Sequence, residues 1–590
     1  MRRRDPAARV VWRAVRISSN TLTRGALAFA SGLALALAFP KLDLSLFAWA
    51  AFVPLFHAIE DEPLARVFGW AWLAGFAFYL GSLYWIAIPL HNFADVRIEF
   101  AILPMFLLAG VLALYSGCAI WCGAFVTRRL AIPIVVTMPI AWTAAEWIRS
   151  FFPIGFPWNL TGYAAYRHLE LIQFAEFTGV YGISALIVFF NAVVYVVLFR
   201  RATNRLQAAS LGALTALLLI LIGFGTWRIR ALKRMAPRGE FRVAMVQGNI
   251  PQSLKWDPNF LPQSFKVYED ETALAARRGA DLVAWPEAAA AFFFQPDDRY
   301  PPEFHGDETY RDALLQLARS TGDPILFGAP ALAARDGQIG FYNRAYLVSG
   351  AGQVVSYYDK IQLVPFGEYV PAREVLGFFV NRVVHGLGEM FAGTAQTLFT
   401  VKGAHLGVLI CYESVFPDLT RREVERGADV LVNITNDAWY GQSSAPYQAL
   451  AMAALRSVET KVPMIRVANT GISAIITPTG DITARTPLFK RGTEIEDVAW
   501  RPMRTVYTIV GDLFAEICLA LAAIGMVLGR LRPRGKNPGE IPLEDIAIAN
   551  GHARARSGLE DELRATDFET SQRGVSGCAG RTPINSRPGV

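Results

Sequence analysis

His405-Leu-Gly-Val-Leu-Ile-Cys411-Tyr-Glu413 is an apolar run that ends in a cysteine and then turns polar. The pattern predicts a buried strand that delivers a thiol at its C-terminal edge, where a nucleophile can meet a substrate. Taken alone the signal is weak, because a single buried cysteine is usually a small hydrophobic residue of the core.

Two similar strand ends lie upstream of this cysteine. Asp281-Leu-Val-Ala-Trp-Pro-Glu287 ends in a glutamate, and Val354-Val-Ser-Tyr-Tyr-Asp-Lys360 ends in a lysine. A glutamate or lysine in that position is most often a solvated surface residue. Together, however, the three ends predict a nucleophile site in which Glu287 takes the thiol proton of Cys411 and Lys360 stabilises negative charge on a reacting carbonyl oxygen.

Composition indicates a membrane protein. The chain has 590 residues, of which 53% are hydrophobic, and this is too apolar for a soluble enzyme of that size. The net charge of +7 comes from Lys and Arg spread over short loops and both ends of the chain, so it does not indicate nucleic-acid binding. The five cysteines form neither a CxxC pair nor a Cys/His cluster, which argues against a zinc site or a disulfide framework.

Eight apolar runs are candidates for membrane spans, seven of them between residues 25 and 227 and the last at 506–529. Basic residues place the N-terminus, 1–24, and the end of the chain, 530–590, in the cytoplasm. The region between the seventh and eighth spans is then outside, although its first part, the linker 228–240, is basic. The predicted spans are 25–40, 44–59, 67–90, 100–127, 132–149, 177–199, 208–227 and 506–529.

From 241 to 501 short β-rich runs alternate with helical stretches, which predicts an α/β domain with helices on both sides of a sheet. After residue 533 the chain is polar without a sustained apolar period, and we expect a disordered tail. The predicted strands are 242–248, 282–285, 325–328, 345–349, 354–358, 406–411, 430–434, 464–467 and 473–478; the predicted helices are 262–278, 310–320, 418–425 and 446–460.

The order Glu, Lys, Cys at strand ends resembles the carbon–nitrogen hydrolase (nitrilase) superfamily over roughly Arg242 to Ala499. The resemblance implies an αββα sandwich. Three segments, Glu146–Asn159, Val246–Trp256 and Asn433–Gly441, together with the span arrangement, resemble bacterial apolipoprotein N-acyltransferases in particular.

That second resemblance implies a complete set of roles. Glu287, Lys360 and Cys411 would be the catalytic triad, Glu368 and Glu413 supporting glutamates, and Trp256 a tryptophan of a mobile loop near the site. The acyl donor would be a phospholipid, mainly phosphatidylethanolamine through its sn-1 chain. The acceptor would be the α-amine of a diacylglyceryl-cysteine on an apolipoprotein. The enzyme would need no cofactor and no metal, and would work on the periplasmic side of the bacterial inner membrane.

If the reaction passes through an acyl thioester on Cys411, that intermediate needs protection from water. Several apolar groups could shield it or contact lipid. Candidate lid or lipid-contacting segments are Ala288–Phe294 and Leu376–Val380, and candidate shielding side chains are Trp256, Phe292, Phe293 and Trp439. Ordinary packing inside the domain is the competing interpretation of each.

Two other functions compete with the transferase. A membrane-anchored amidase or nitrilase would use the same triad with water as the acceptor. A polytopic transporter or scaffold with an inactive outer domain is the second, and the intact triad and the few charges within the spans argue against it.

Overall fold

A computed structural model of the chain describes residues 6–93, 97–200, 203–294, 308–335, 338–369 and 390–533, without the side chains of residues 6–18, 93, 334 and 338. The segment Leu376–Val380 and the predicted tail from residue 534 onward lie outside the described residues. The first part of the described chain is helical and apolar, and the second carries two β-sheets. The helices before the first strand are Pro6–Leu37, Val53–Ala58, Leu64–Leu83, Ala87–Phe93, Ile98–Leu130, Ile134–Arg149, Leu169–Ile172, Ala175–Leu198 and Asn204–Arg234.

Among the described residues, five helical segments are long and apolar enough to cross a membrane: Leu64–Asn92, Ile98–Leu130, Ala175–Leu198, Asn204–Arg234 and Leu513–Leu531. The other three predicted spans take different forms. The run 25–40 lies largely in the long first helix, 44–59 forms a 3-10 helix and a six-residue helix, and 132–149 forms the 16-residue helix Ile134–Arg149. The eight-span topology remains a prediction.

The first half of the basic linker 228–240 is helical, because the helix Asn204–Arg234 extends into it. Its first arginine, Arg228, is largely buried and pairs with Glu176 at 2.8 Å, and Lys461 approaches the same carboxylate at 3.5 Å. The predicted topology places this basic linker outside, although basic segments usually stay in the cytoplasm. Pairing with Glu176 compensates part of its positive charge within the protein.

Two six-stranded sheets form the second part, in the orders β12-β1-β2-β3-β4-β5 and β11-β10-β9-β8-β7-β6. Neighbouring strands β1, β2 and β3 are parallel, as are β7, β8 and β9, so their C-terminal ends share an edge. The strands are β1 Gly239–Gln247, β2 Leu282–Ala284, β3 Ile325–Arg335, β4 Gln338–Val348, β5 Val354–Asp359, β6 Leu398–Val401, β7 Ala404–Ile410, β8 Val430–Thr435, β9 Met464–Ala468, β10 Ala474–Ile476, β11 Ile482–Arg485 and β12 Gly492–Trp500.

The predicted αββα sandwich is confirmed. One apolar core joins both sheets, with Val243 and Leu326 from the first and Val408 and Val432 from the second. Helices Leu261–Arg277 and Glu308–Thr321 contribute to a second core on the outer face of the first sheet. Helices Pro417–Glu425 and Ala445–Thr460 contribute to the core on the other side. That core continues into the apolar helices that precede β1, which we call the membrane-type helices.

The helix Ala445–Thr460 lies between the second sheet and the membrane-type helices. Every one of its residues except Tyr447 is buried. Alanines dominate its sequence, and their small side chains let neighbouring backbones approach on all sides. A polar contact adds to this packing, since the Val180 N–H donates to the Glu459 carboxylate at 2.8 Å. The two parts of the chain therefore share one core.

Candidate active site

Three strand ends bring the predicted triad together at one edge of the sandwich. Glu287 follows β2, Lys360 directly follows β5 and Cys411 directly follows β7. The ammonium of Lys360 lies 3.5 Å from Glu287 Oε1, and the Glu287 carboxylate and the Cys411 thiol are close enough to shift each other's pKa. Glu287 thus stands between a cation and a thiol, where a general base for that thiol has to be.

Hydrogen bonds fix the orientation of the Glu287 carboxylate. Asn343 Nδ2 donates to Oε1 at 2.7 Å, and the backbone N–H of Asn436 donates to Oε2 at 2.8 Å. Glu368 occupies the position expected of a supporting group, because its Oε1 accepts from Lys360 at 2.7 Å and its Oε2 accepts from the Val364 N–H at 2.8 Å. Two carboxylates therefore share one buried ammonium.

These contacts set the charge of each group. Burial opposes ionisation of Glu287, but the Lys360 ammonium and the Asn343 amide outweigh it and hold the pKa of the carboxyl below its usual value. Burial likewise opposes charge on Lys360, yet Glu368 and Glu287 raise its pKa. Burial and the neighbouring Glu287 carboxylate raise the pKa of Cys411 to about 12. At rest the site holds a carboxylate, an ammonium and a protonated thiol.

Because the thiol is protonated at rest, its deprotonation has to accompany attack on the substrate. The backbone geometry favours such an attack. Cys411 has a φ of +53°, in the left-handed region that a non-glycine residue rarely adopts, and it begins the short 3-10 helix Cys411–Val415. This sharp turn after β7 leaves the residue partly exposed although its strand is buried.

A buried polar network lies around Cys411. Asp437 accepts from Arg466 at 2.8 Å and from the Thr435 hydroxyl at 3.0 Å. Asn433 accepts from Arg466 and donates its amide to the Cys411 carbonyl at 3.2 Å. The network thus connects β8 and β9 to the residue that carries the thiol.

Glu413 supports the site from within the protein and forms no ion pair with Lys360. Its fully buried carboxylate accepts from the Tyr358 hydroxyl and from the backbone N–H groups of Ile361, Gln362 and Ile410, at 2.7–3.0 Å. Burial raises the pKa of Glu413 to about 7 despite these donors. The carboxylate therefore joins the loop after Lys360 to the strand that ends at Cys411.

The predicted loop and lid residues separate into two groups. Trp256 is 46% exposed on the loop after β1, and Trp439 is half-buried in the 3-10 helix Asp437–Tyr440. The segment Ala288–Phe294 is not a lid, because Phe292 and Phe294 are buried in the core under the first sheet. A segment rich in apolar and aromatic residues can fill a protein core or contact lipid, and its sequence is the same in both cases.

The structure also shows site residues that the sequence did not single out. Asn343 bridges Glu287 and Glu368, and the Asn436 backbone donates to Glu287. Asn343 lies in β4 directly before Arg344, and the sequence of that strand carries no signal that singles it out. Within the described ranges, no group of three or more His, Cys, Asp or Glu side chains could hold a metal ion.

An aromatic cluster connects the residue after Cys411 to the apolar N-terminal part of the chain. Trp158 stacks on Tyr412, the residue after the cysteine, with ring centroids 6.1 Å apart and planes at 18°. Trp85 lies 4.9 Å from both Trp158 and Tyr440. One amide holds this cluster together, because Gln448 Oε1 accepts the indole N–H of Trp85 and of Trp158, at 3.1 and 2.8 Å.

Replacing Gln448 with leucine should destabilise the protein. Its amide also donates to the carbonyls of Pro40 and Ser82, so the change leaves several buried groups unpaired, each at a cost of about 1–3 kcal/mol. Thermal unfolding in detergent should show a clear fall in midpoint, while Gln353→Leu, the same change at an exposed turn, should not. Equal midpoints for the two variants would contradict a stabilising role for Gln448.

Family models match both parts of the chain. Residues 242–506 match the carbon–nitrogen hydrolase model, and residues 31–193 match the apolipoprotein N-acyltransferase N-terminal domain. Among solved structures, an amidase of the nitrilase superfamily from Nesterenkonia AN1 covers 45% of this chain and 93% of its own, at 22% identity and a TM-score of 0.33.

Two curated relatives that align over most of the chain are both apolipoprotein N-acyltransferases. An apolipoprotein N-acyltransferase of Geobacter metallireducens is 38% identical over 505 residues, which cover 84% of this chain and 94% of that protein. One of Brucella suis is 32% identical over 538 residues, covering 86% and 96%. The family models match the apolar helices and the domain that carries the triad, and these relatives align with most of the chain. The chain therefore belongs to the apolipoprotein N-acyltransferase family.

Proposed function

We propose that this protein transfers an acyl chain from a phospholipid, through a thioester on Cys411, to the α-amine of an N-terminal diacylglyceryl-cysteine. The donor would be phosphatidylethanolamine, through its sn-1 chain. The observation that carries the proposal is the juxtaposition of Glu287, Lys360 and a protonated thiol with two tryptophans of the apolar N-terminal part of the chain, Trp158 and Trp85. The names of the relatives supply the acceptor class.

In the first half-reaction Cys411 Sγ attacks the ester carbonyl while Glu287 takes the thiol proton. The oxyanion that forms would lie beside Lys360, whose pKa is raised and which therefore stays charged. When the carbon–oxygen bond breaks, Glu287 returns the proton to the leaving alkoxide. The products are a lysophospholipid and an acyl thioester on Cys411.

In the second half-reaction the neutral amine attacks the thioester carbonyl. Glu287 takes a proton from the nitrogen as the new carbon–nitrogen bond forms, and Lys360 again faces the oxyanion. The carbon–sulfur bond then breaks, and the leaving sulfur receives the proton that Glu287 holds. An amide is released and the resting thiol is restored.

An apolar cavity of about 730 Å³ supports a lipid donor. Residues Ile88, Ile102, Met105 and Phe106 line it from the membrane side, and Gly441–Ser443, which directly follow the turn that carries Tyr440, line it from the catalytic side. An acyl chain gains about 0.8 kcal/mol per methylene by staying in apolar surroundings. A site reached along the bilayer therefore avoids lifting the chain into water.

This arrangement suits a bacterial inner-membrane enzyme whose catalytic domain faces the periplasm. The five helices that can cross a membrane and the arginine distribution support that location. A reporter fused at Gly352, in the turn between β4 and β5, should read periplasmic; a cytoplasmic reading would put the site on the wrong side for lipoproteins.

The competing function is a membrane-bound hydrolase in which water takes the place of the amine. The test is to load purified protein with phosphatidylethanolamine, remove excess lipid, and follow the acyl group by intact-protein mass spectrometry. Loaded enzyme should release fatty acid slowly in buffer and transfer it rapidly to a diacylglyceryl peptide. If release to water is as fast as transfer to peptide, the hydrolase becomes the better description.

A further inference from the structure

Lys255 is a buried cation beside the catalytic base. It lies on the loop between β1 and the helix Leu261–Arg277, is 3% exposed, and donates from Nζ to the backbone carbonyl of Glu287 at 2.9 Å. Lysines are almost never fully buried unless a partner compensates their charge. This hydrogen bond goes to a neutral carbonyl, whereas Lys360 nearby bonds to the carboxylate of Glu368.

The peptide group that joins Glu287 to Ala288 is held in place by tight packing at its nitrogen and by a hydrogen bond at its oxygen. Ala288 has a φ of +47°, and a Cβ added at Gly328 would lie 2.4 Å from its nitrogen, so the neighbouring strand packs tightly there. Lys255 holds the oxygen of the same peptide. The orientation of this peptide sets the direction in which the Glu287 side chain leaves the backbone.

Lys255 also contributes charge to the reacting groups. It interacts electrostatically with both the Glu287 carboxylate and the Cys411 thiol. Burial lowers the pKa of Lys255 to about 8, so the side chain is still mostly protonated at neutral pH. During acyl transfer one negative charge moves from Glu287 to the oxyanion and back, and a fixed cation beside this path favours keeping that charge in the site.

The loop that carries Lys255 has a second connection to the base. Gln252 accepts from the Asn436 side chain at 2.6 Å, and the backbone of Asn436 is the group that donates to Glu287 Oε2. The loop therefore contacts the surroundings of Glu287 at its carbonyl, through Lys255, and at its carboxylate, through Asn436.

We propose that Lys255 is a positioning residue of the acyl-transfer site, which fixes the Glu287 peptide and holds one negative charge on the Glu287–Cys411 pair. This inference rests on the proposed function, since Glu287 and Cys411 have their roles from it. Lys255 itself exchanges no atoms with the substrate.

The test compares Lys255→Met and Lys255→Gln with Lys255→Arg in the full-length protein, by alkylation of Cys411 with iodoacetamide from pH 7 to 9. Losing the cation makes the thiolate harder to form, so both neutral variants should be alkylated about 3–10 times more slowly at pH 7. The difference should shrink toward pH 9, because Lys255 itself has a pKa of about 8 and loses its charge there. Lys255→Arg should stay near the wild type. Lys266→Met, which removes an exposed lysine paired with Glu269 and Asp270, is the matched control.

The pH profile of acyl loading gives the second readout. In the neutral variants its acid limb should move up by about half to one pH unit, because Glu287 is protonated more easily without the nearby cation. A loss of loading that is equal at all pH values, with unchanged alkylation, would show a merely structural role and overturn the inference. Alkylation needs no acyl donor, so if the wild type fails to load phospholipid, the proposed function fails while the comparison still decides the role of Lys255.

Discussion

Replacing Cys411 with serine is expected to remove the acyl-enzyme. The alkoxide of serine is much harder to form than a thiolate, and burial together with the Glu287 carboxylate already raises the pKa of the thiol to about 12. Loading from phosphatidylethanolamine should fall by about 10³-fold or more. Intact-protein mass spectrometry would measure it as the loss of one acyl group, which in the wild type should be released by hydroxylamine.

The matched control is Cys518→Ser, which makes the same change in the helix Leu513–Leu531. That variant should load normally. An acyl group that persists on the Cys411 variant at another cysteine, with hydroxylamine lability, would remove Cys411 from the nucleophile role.

Replacing Glu287 with glutamine should separate catalysis from thiol reactivity. The change keeps the shape of the side chain but removes the proton acceptor, so both half-reactions should slow by about 10²–10⁴. The negative charge of Glu287 raises the pKa of Cys411, so its loss lowers that pKa. Iodoacetamide should therefore alkylate the variant faster than the wild type at pH 8, although acyl transfer is slower.

Unfolding would also expose the buried thiol and speed its alkylation, so thermal unfolding of the variant in detergent is measured beside the two rates and its midpoint should match that of the wild type. Glu494→Gln, at an exposed position of β12, should leave both rates unchanged. If Glu287→Gln retains full transferase activity, another carboxyl group is the base, and Glu413 would be the first to test.

Sequence patterns predicted the sandwich well wherever burial leaves a continuous apolar run. Strands β7, β8 and β9 and the helix Ala445–Thr460 lie within one or two residues of their predicted bounds. Strands β6, β11 and β12 were missed. In β12, Gly492–Trp500, acidic side chains face solvent on an edge strand, and pairing with β1, not an apolar run, holds it in the sheet.

For the site, the residue types at strand ends predicted the meeting of Glu287, Lys360 and Cys411. The partners that orient them were beyond such reasoning, because Asn343 and Lys255 act through contacts with residues far away in sequence. Apolar loops were equally ambiguous. The segment Ala288–Phe294 turned inward to fill a core, and its composition alone could not distinguish that from contact with lipid.

The burial of the helix Ala445–Thr460 between two halves of one chain bears on how the protein can change over evolutionary time. An excised nitrilase-like portion would present a long alanine- and leucine-rich face to water and would be prone to aggregate, so the half that carries the chemistry is not an autonomous module. Substitutions in the two halves are coupled through this shared element. A change that alters the shape of this helix on one side therefore has to be accommodated on the other, so the catalytic portion and the apolar helices are expected to evolve together.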